Sequence, residues 1–317
     1  MKKFSIFIIF LLIIVAGTFV FIKQTPSFKQ TKGDKVEHQL IVTLLPQKQI
    51  VKKIAGEKFS VTGLIPPGFN PATYDPTVEE MKMVVSAEMY FRTGHVLFEK
   101  THIEELIESN PSMLVVDTSK NNSLRELEAH THHDEAQEHD DHEEGNDDKT
   151  EHESGIDPHV WLSPLMVQKQ AAIIYESLAK QYPEYADEFS VNYEEIIKDL
   201  EELDKELKVA FAPIKGKTIL VYHPAFGYLA RDYGFTQEHI EIEGKEPSIE
   251  DIQNIIEEAN EDNVSVIFVQ KQFSKDSAKA VADNIGGVVL EIDPLAEDYF
   301  TNMKTMAHTI TDSFNRN

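Results

Sequence analysis

Hydrophobic and polar positions along the chain separate into two kinds of segment. Short, nearly continuous apolar runs predict buried strands at residues 39–44, 59–65, 89–91, 113–117, 218–222, 264–269 and 288–292. Between them, apolar residues recur at helical spacing over residues 47–56, 77–85, 164–181, 248–262, 274–285 and 298–314. Strands that alternate with helices predict βαβ units and parallel sheets. The expected fold class is therefore α/β.

One stretch is more regular than the rest. From Phe189 to Phe211, apolar residues alternate spacings of four and three, and nearly all positions between them are charged. This pattern predicts a single amphipathic helix about 40 Å long. A free-standing coiled coil needs more sustained heptads than this stretch has. We therefore expect two lobes, each with a mainly parallel sheet flanked by helices, at residues 37–182 and 214–317, linked by one long helix at 183–213.

The N-terminal residues have the pattern of an export segment. Lys2 and Lys3 precede an apolar run over residues 4–22, which Lys23 closes. The run is long enough to span a bilayer, and the two lysines fit the cytoplasmic side of a membrane. We expect residues 1–36 to be an export signal or membrane anchor with a stalk. The protein is then outside the cytoplasm, attached to the cell membrane by this segment or secreted if the segment is cleaved.

Composition excludes several classes of function. The net charge of −25 without a basic stripe argues against nucleic acid as a partner. The chain has no cysteine, which excludes disulfides, thiolate metal sites and cysteine nucleophiles.

Residues 128–155 hold 12 of the 55 acidic residues and almost no apolar ones, a composition typical of a disordered loop. The segment also contains His130, His132, His133, His139, His142 and His152. Their irregular spacing does not suit one fixed tetrahedral site, whereas their acidic neighbours attract cations. We expect a low-affinity metal-binding loop; the alternative is a solvated spacer.

Four side chains are candidate metal ligands, because ligands of open α/β sheets bind beyond the carboxyl ends of the strands. His223 and Asp293 directly follow predicted strands. His95 comes a few residues after another strand, and His159 lies just before a helix. Three imidazoles and one carboxylate suit zinc, or less well manganese. A cleft between the two lobes would gather them around one ion.

Several motifs resemble those of the zinc and manganese solute-binding proteins of ABC transporters. They lie at residues 65–77, 155–164, 221–235, 246–252, 269–274 and 290–295, and the similarity covers nearly all of residues 38–317. The resemblance implies a two-lobed protein that captures a metal ion in an interlobe cleft. It would deliver the ion to a membrane permease that works with an ATPase subunit. A monomer without enzymatic activity is expected.

Residue by residue, the resemblance covers three of the candidate ligands. His159 matches the histidine of the family's DPH motif, His223 that of its YH motif, and Asp293 the aspartate of its late DP motif. The family's first ligand is a histidine, but this chain has Ala72 at that position. Alanine cannot bind a metal, so the first ligand departs from the family pattern.

Three explanations are open for the first ligand. Either the site has three protein ligands and a water, or Glu80, Glu99 or a loop histidine substitutes, or His95 takes the place. We favour His95, since it follows the next strand of the same lobe and Gly94 beside it permits an unusual turn.

Zinc is the expected ion and manganese the alternative, because imidazole-rich sites favour zinc. A metallohydrolase would need a general base and an open metal position, and no HExxH motif is present. A metal-dependent surface adhesin is a further alternative.

Among neighbouring residues, Asp157 either orients a ligand imidazole or caps a helix, and Trp161 is expected in the core. His239 and His308 are expected at the surface.

Overall fold

Two four-stranded parallel sheets carry the fold in the computed structural model of the protein, which describes residues 38–120, 122–127, 155–242, 245–262 and 264–315. The first sheet has the order β2-β1-β3-β4, with β1 at His38–Val42, β2 at Phe59–Gly63, β3 at Met89–Arg92 and β4 at Leu114–Asp117. Its helices are α1 at Leu45–Ala55, α2 at Val78–Val85 and α3 at Leu97–Ser109.

The second sheet repeats this order as β6-β5-β7-β8. Its strands are β5 at Thr218–Val221, β6 at Thr236–His239, β7 at Val266–Gln270 and β8 at Val288–Ile292. In both sheets the second strand along the chain lies on one side of the first strand, and the third and fourth strands lie on its other side. Ligands of such sheets bind where the direction reverses, beyond the carboxyl ends of the central strands.

The remaining helices complete the layers. They are α4 at Pro164–Gln181, α5 at Ala186–Phe211, α6 at Gly227–Tyr233, α7 at Ile249–Glu261, α8 at Asp276–Ile285 and α9 at Tyr299–Ser313. Ser248 begins α7 with a capping box, in which its side chain and that of Asp251 each accept the other residue's backbone N–H.

Helix α5 is the predicted long helix. A 3₁₀ turn at Pro183–Tyr185 precedes it and another at Ala212–Ile214 follows it, and its 26 residues span about 39 Å. Its buried stripe includes Phe189, Ile196, Leu200, Leu203, Leu207 and Phe211. This stripe belongs to one core that also contains Val42 of the first sheet and Phe268 of the second. The helix therefore lies between the two sheets, as the apolar spacing predicted.

The central strand β7 of the second sheet is buried on both faces. Along β7, Val266 and Phe268 point into the core shared with α5, whereas Ile267 and Val269 point into a second core. This alternation follows from the two-residue period of a strand. Burial on both faces explains why the sequence of β7 reads as a continuous apolar run.

All seven strands predicted from the sequence are present, with bounds that differ by at most two residues. The α/β fold class with two parallel sheets and a long helix between them is confirmed. The prediction missed α3, α6 and β6. Strand β6, with the sequence TQEH, lies at the edge of its sheet, so it lacks the apolar run that marks the central strands. Placing the lobe boundaries at residues 182 and 214 stays a prediction.

Two predicted segments fall outside the described residues: all of the N-terminal segment 1–36 and nearly all of the histidine-rich loop 128–155. Within the part of the chain that the structure describes, no helix has both the length and the hydropathy required to cross a membrane.

Candidate metal centre

Two of the predicted ligands lie in contact. His159 comes just before the 3₁₀ turn Val160–Leu162 that leads into α4, and His223 comes two residues after β5. Their Nε2 atoms are 3.2 Å apart, and their ring centroids are separated by 5.1 Å. The structure therefore brings together one imidazole that precedes α5 in the chain and one that follows it.

Each imidazole is held by a buried carboxylate on its other nitrogen. Asp157 Oδ1 lies 2.7 Å from Nδ1 of His159, and Glu241 Oε2 lies 2.5 Å from Nδ1 of His223. A carboxylate accepts hydrogen bonds, so each neutral ring carries its proton on Nδ1 and leaves Nε2 free to bind a metal. Carboxylates behind ligand histidines fix the tautomer and the ring orientation in this way. Asp157 thus has the orienting role that the sequence left open.

The distance between the two Nε2 atoms suits a shared ion. Two nitrogens bound to a tetrahedral zinc at about 2.0–2.1 Å lie about 3.3 Å from each other. The observed 3.2 Å separation is close to that value. Burial lowers the pKa of the His159 imidazole, although the Asp157 carboxylate opposes this effect. The lowered pKa favours the neutral ring, which is the form that binds metal.

The buried Asp157 carboxylate has partners on both oxygens. Its Oδ1 also accepts the backbone N–H of His159 at 2.9 Å, and its Oδ2 lies 3.4 Å from Nη1 of Arg125. Tyr228 donates its hydroxyl proton to the Asp157 carbonyl at 3.0 Å and accepts the Arg125 backbone N–H at 3.1 Å. A Cβ atom on Gly227 would lie 1.1 Å from Arg125 Nη1, so glycine is required there for the guanidinium to fit.

His223 is fixed from three sides. Gln270, the last residue of β7, accepts the His223 backbone N–H at 3.2 Å and donates to its carbonyl at 2.7 Å. The Phe273 ring stacks on the imidazole with centroids 4.9 Å apart. Together with Glu241, these contacts leave Nε2 directed at His159.

Asp293 lies directly after β8 and has other partners. Its Oδ1 accepts the Leu295 backbone N–H at 3.0 Å, and its Oδ2 forms an ion pair with Lys271 Nζ at 3.2 Å. Trp161, buried as predicted, donates its indole N–H to the Pro294 carbonyl at 2.9 Å. This bond ties the residue after Asp293 to the segment that carries His159.

His95 lies in the turn after β3, next to Gly94, whose φ is +108°. Its Nε2 is 3.3 Å from Oγ of Ser119, which also donates to Asp117 Oδ1 at 2.6 Å. Partial burial lowers the pKa of His95, and the Asp117 charge opposes this. Among the described residues, no three histidine or acidic side chains gather as a ligand set. The four-ligand site therefore stays a prediction.

The structure gives the other first-ligand candidates among the described residues definite roles. Glu99 is fully buried and accepts the backbone N–H groups of Thr93 at 2.7 Å and Gly94 at 2.5 Å, so it fixes the turn that carries His95. Glu80 completes the capping box of α2 with Thr77. These contacts favour His95 over either carboxylate.

Sequence reasoning missed Glu241 and Gln270, and it placed His239 wrongly. His239 was expected at the surface, but it ends β6 and is 6% exposed. The cause is the unpredicted edge strand, since without β6 neither His239 nor Glu241 is brought beside β5. A signal for Glu241 was the long gap between the strand predicted at residues 218–222 and the helix predicted at 248–262, which leaves room for a further helix and strand. His308 is exposed as predicted.

Two carboxylate-oriented imidazoles, one just before α4 and one after β5, place a pair of nitrogen donors of the kind that transition metals bind in a two-sheet α/β protein. The sequence profile of the family described as zinc-uptake complex component A, periplasmic (ZnuA), matches residues 40–313. The chain belongs to this family, which is one of metal-binding, transport-associated proteins and not of enzymes.

Relatives agree with this assignment. The chain is 30% identical over 293 residues to the high-affinity zinc uptake system protein ZnuA of Bacillus subtilis, covering 90% of this chain and 86% of that protein. It is 28% identical over 286 residues to the zinc-binding protein AdcA of Streptococcus pyogenes, covering 86% of this chain. The alignment covers 55% of AdcA, so the chain spans about half the length of that relative. A crystal structure of ZnuA superposes with a TM-score of 0.77 at 31% identity, covering 87% of this chain and 98% of that one.

The carboxylate contacts predict the tautomers of the paired histidines. At neutral pH, long-range ¹H–¹⁵N correlation spectra of the metal-free protein should show both His159 and His223 protonated on Nδ1. Exposed His308, on α9, serves as the control and should give a solvent-averaged mixture of tautomers. Protons on Nε2 of both paired rings would contradict the assigned hydrogen bonds.

Proposed function

We propose that this protein is the extracytoplasmic solute-binding subunit of an ABC importer, which captures Zn²⁺ between its two sheets and delivers it to a membrane permease. The observation that carries the proposal is the pair of Nε2 atoms 3.2 Å apart, each backed by a carboxylate on Nδ1. The family assignment and the zinc-binding relatives support it.

The proposed ligands are His95, His159, His223 and Asp293. Two of them already lie together, and Asp293 follows a strand two places from β5, roughly 10 Å away at the usual strand spacing. His95 comes from the turn after β3 of the other sheet. Metal binding on this proposal draws His95 away from Ser119 and Asp293 away from Lys271.

Zinc is proposed over manganese because of the donor atoms. Imidazole nitrogens suit zinc, whereas manganese is better served by carboxylate and other oxygen ligands. With three imidazoles, the set is richer in nitrogen than a manganese site requires. Competition between equimolar Zn²⁺ and Mn²⁺, followed by metal analysis of the purified protein, tests this choice.

The partners are proposed to be the permease and its ATPase subunit, with the binding protein acting as a monomer. Residues 1–36 are proposed to hold it at the outer side of the membrane, which is consistent with the periplasmic description of the family.

Removing a ligand should weaken zinc binding strongly. His159→Ala and His95→Ala should each lower zinc affinity by about 100-fold or more, because loss of an outer carboxylate alone commonly costs 10–100-fold. Chelator competition measures the affinity, and His308→Ala, which removes an exposed imidazole, should leave it unchanged. If His95→Ala behaves like His308→Ala, His95 is not the first ligand.

Zinc affinity should depend on pH through the histidines. Burial lowers the pKa values of His159 and His95, so their neutral forms persist to lower pH than in a free imidazole. Affinity should hold above about pH 6.5, near the ordinary value for histidine, and fall steeply toward pH 5 as protons compete for the ring nitrogens. Chelator competition corrected for the titration of the chelator measures this. A flat affinity from pH 7 to pH 5 would exclude histidine ligands.

The histidine-rich loop is proposed to be a low-affinity antenna. Its ends are joined close to the site, since Leu127 donates to the Gly155 carbonyl at 2.8 Å and Asp157 donates to the Arg125 carbonyl at 2.9 Å. Ions attracted by the acidic loop are thus released beside His159.

Deletion of residues 130–153 separates the antenna from a spacer. The deletion protein should keep one tightly bound zinc, lose additional weak sites and load more slowly at scarce metal. Calorimetry gives the stoichiometry and stopped-flow mixing the loading rate. Loss of the tight site would assign a ligand to the loop, and unchanged stoichiometry and rate would support the spacer.

A further inference from the structure

Lys271 forms an ion pair with Oδ2 of Asp293, which is one of the proposed metal ligands. Lys271 directly follows β7 and Asp293 directly follows β8, and the last residues of these paired strands, Gln270 and Ile292, are register partners. The parallel ladder therefore sets the two side chains beside each other at the carboxyl edge. Nζ of Lys271 lies 3.2 Å from Oδ2 of Asp293.

The rest of Asp293 is already fixed. Its Oδ1 accepts the Leu295 backbone N–H at 3.0 Å, and its carbonyl accepts a hydrogen bond from the Asn302 side chain at 2.5 Å. Oδ2 is thus the oxygen left for a charged partner, and Lys271 is that partner. The Asp293 side chain is 20% exposed, whereas that of Lys271 is 52% exposed.

We propose that Lys271 is an exchangeable counter-cation, which neutralises Asp293 in the metal-free protein and competes with the metal for its Oδ2. The inference rests on the proposed function, because it takes Asp293 as a metal ligand. A zinc ion about 2.0–2.2 Å from Oδ2 repels an ammonium group held on the same oxygen. Metal binding therefore displaces Lys271.

Displacement is easy because the pair is weak and the lysine is long and half-exposed. Exposed ion pairs contribute little stability, and the four-carbon stem lets the ammonium group move into solvent. Lys271 consequently lowers metal affinity modestly. It also returns to Asp293 as the metal leaves, which favours release to an acceptor.

The chain offers a matched control in Lys275. Nζ of Lys275 lies 2.7 Å from Oε2 of Glu291, and its side chain is 53% exposed. Glu291 is in β8, two residues before Asp293. Lys275→Gln removes the same charge from the same region without touching Asp293. Any difference in zinc affinity between Lys271→Gln and Lys275→Gln is thus due to the contact with Asp293 and not to the change in the protein's net charge.

The test compares zinc affinity and the zinc dissociation rate in the full chain by chelator competition. Lys271→Gln should bind zinc about three- to tenfold more tightly and release it more slowly, whereas Lys275→Gln should change affinity by less than about twofold. Lys271→Arg, which keeps the cation, should stay close to the wild type. In an Asp293→Asn background, measured with a weaker chelator, Lys271→Gln should have no further effect.

Two outcomes would overturn the inference while the proposed function stands. Equal effects of the two glutamine variants would mean that only the overall charge matters. Weaker binding by Lys271→Gln would mean that the lysine holds Asp293 in its binding position. If the wild-type protein binds no zinc at all, it is the proposed function that fails, and the stoichiometry of the wild type reports this separately.

Discussion

The buried carboxylate of Asp157 is the constraint on which the metal centre depends. An ionised group without solvent has to be surrounded by donors and positive charge. Here the donors are the backbone and ring N–H groups of His159, together with the Arg125 guanidinium. Arg125 in turn fits only because Gly227, at the start of α6, has no side chain. Satisfying one charge therefore orients His159 and holds the segment before α4 against α6.

The imidazole of His223 is likewise oriented by a buried carboxylate, which here is that of Glu241. Glu241 follows the edge strand β6, and Gln270 ends the central strand β7, so the position of His223 depends on three neighbouring strands of one sheet. Both rings thus have their Nδ1 atoms occupied and their Nε2 atoms facing each other. The polar surroundings determine which nitrogen of each ring is available.

Carboxylates at the carboxyl edge of the second sheet have two kinds of partner. Glu241 accepts the Nδ1 proton of His223, whereas Asp293 and Glu291 form ion pairs with Lys271 and Lys275. The pairs differ in burial, since Glu241 is 5% exposed and both lysines are about half-exposed. Buried pairs hold their geometry because breaking them leaves an unpaired charge, whereas exposed pairs exchange readily. The same edge therefore combines a fixed imidazole with a carboxylate that changes partners.

The sequence by itself determined most of the helices and strands, and it indicated the candidate ligands. Continuous apolar runs mark buried parallel strands, and the four-three spacing from Phe189 to Phe211 marks α5, because these periods follow from local geometry. Position after predicted strands indicated His95, His223 and Asp293, and the motifs indicated His159, His223 and Asp293. Only the tertiary structure decided that His159 and His223 meet, that Glu241 and Gln270 fix His223, and that Lys271 pairs with Asp293. These contacts join residues up to 64 positions apart, and β6, which brings Glu241 to the site, is a polar edge strand without an apolar run. Local periodicity contains no information about such pairs, which arise from sheet order and from the burial of charge.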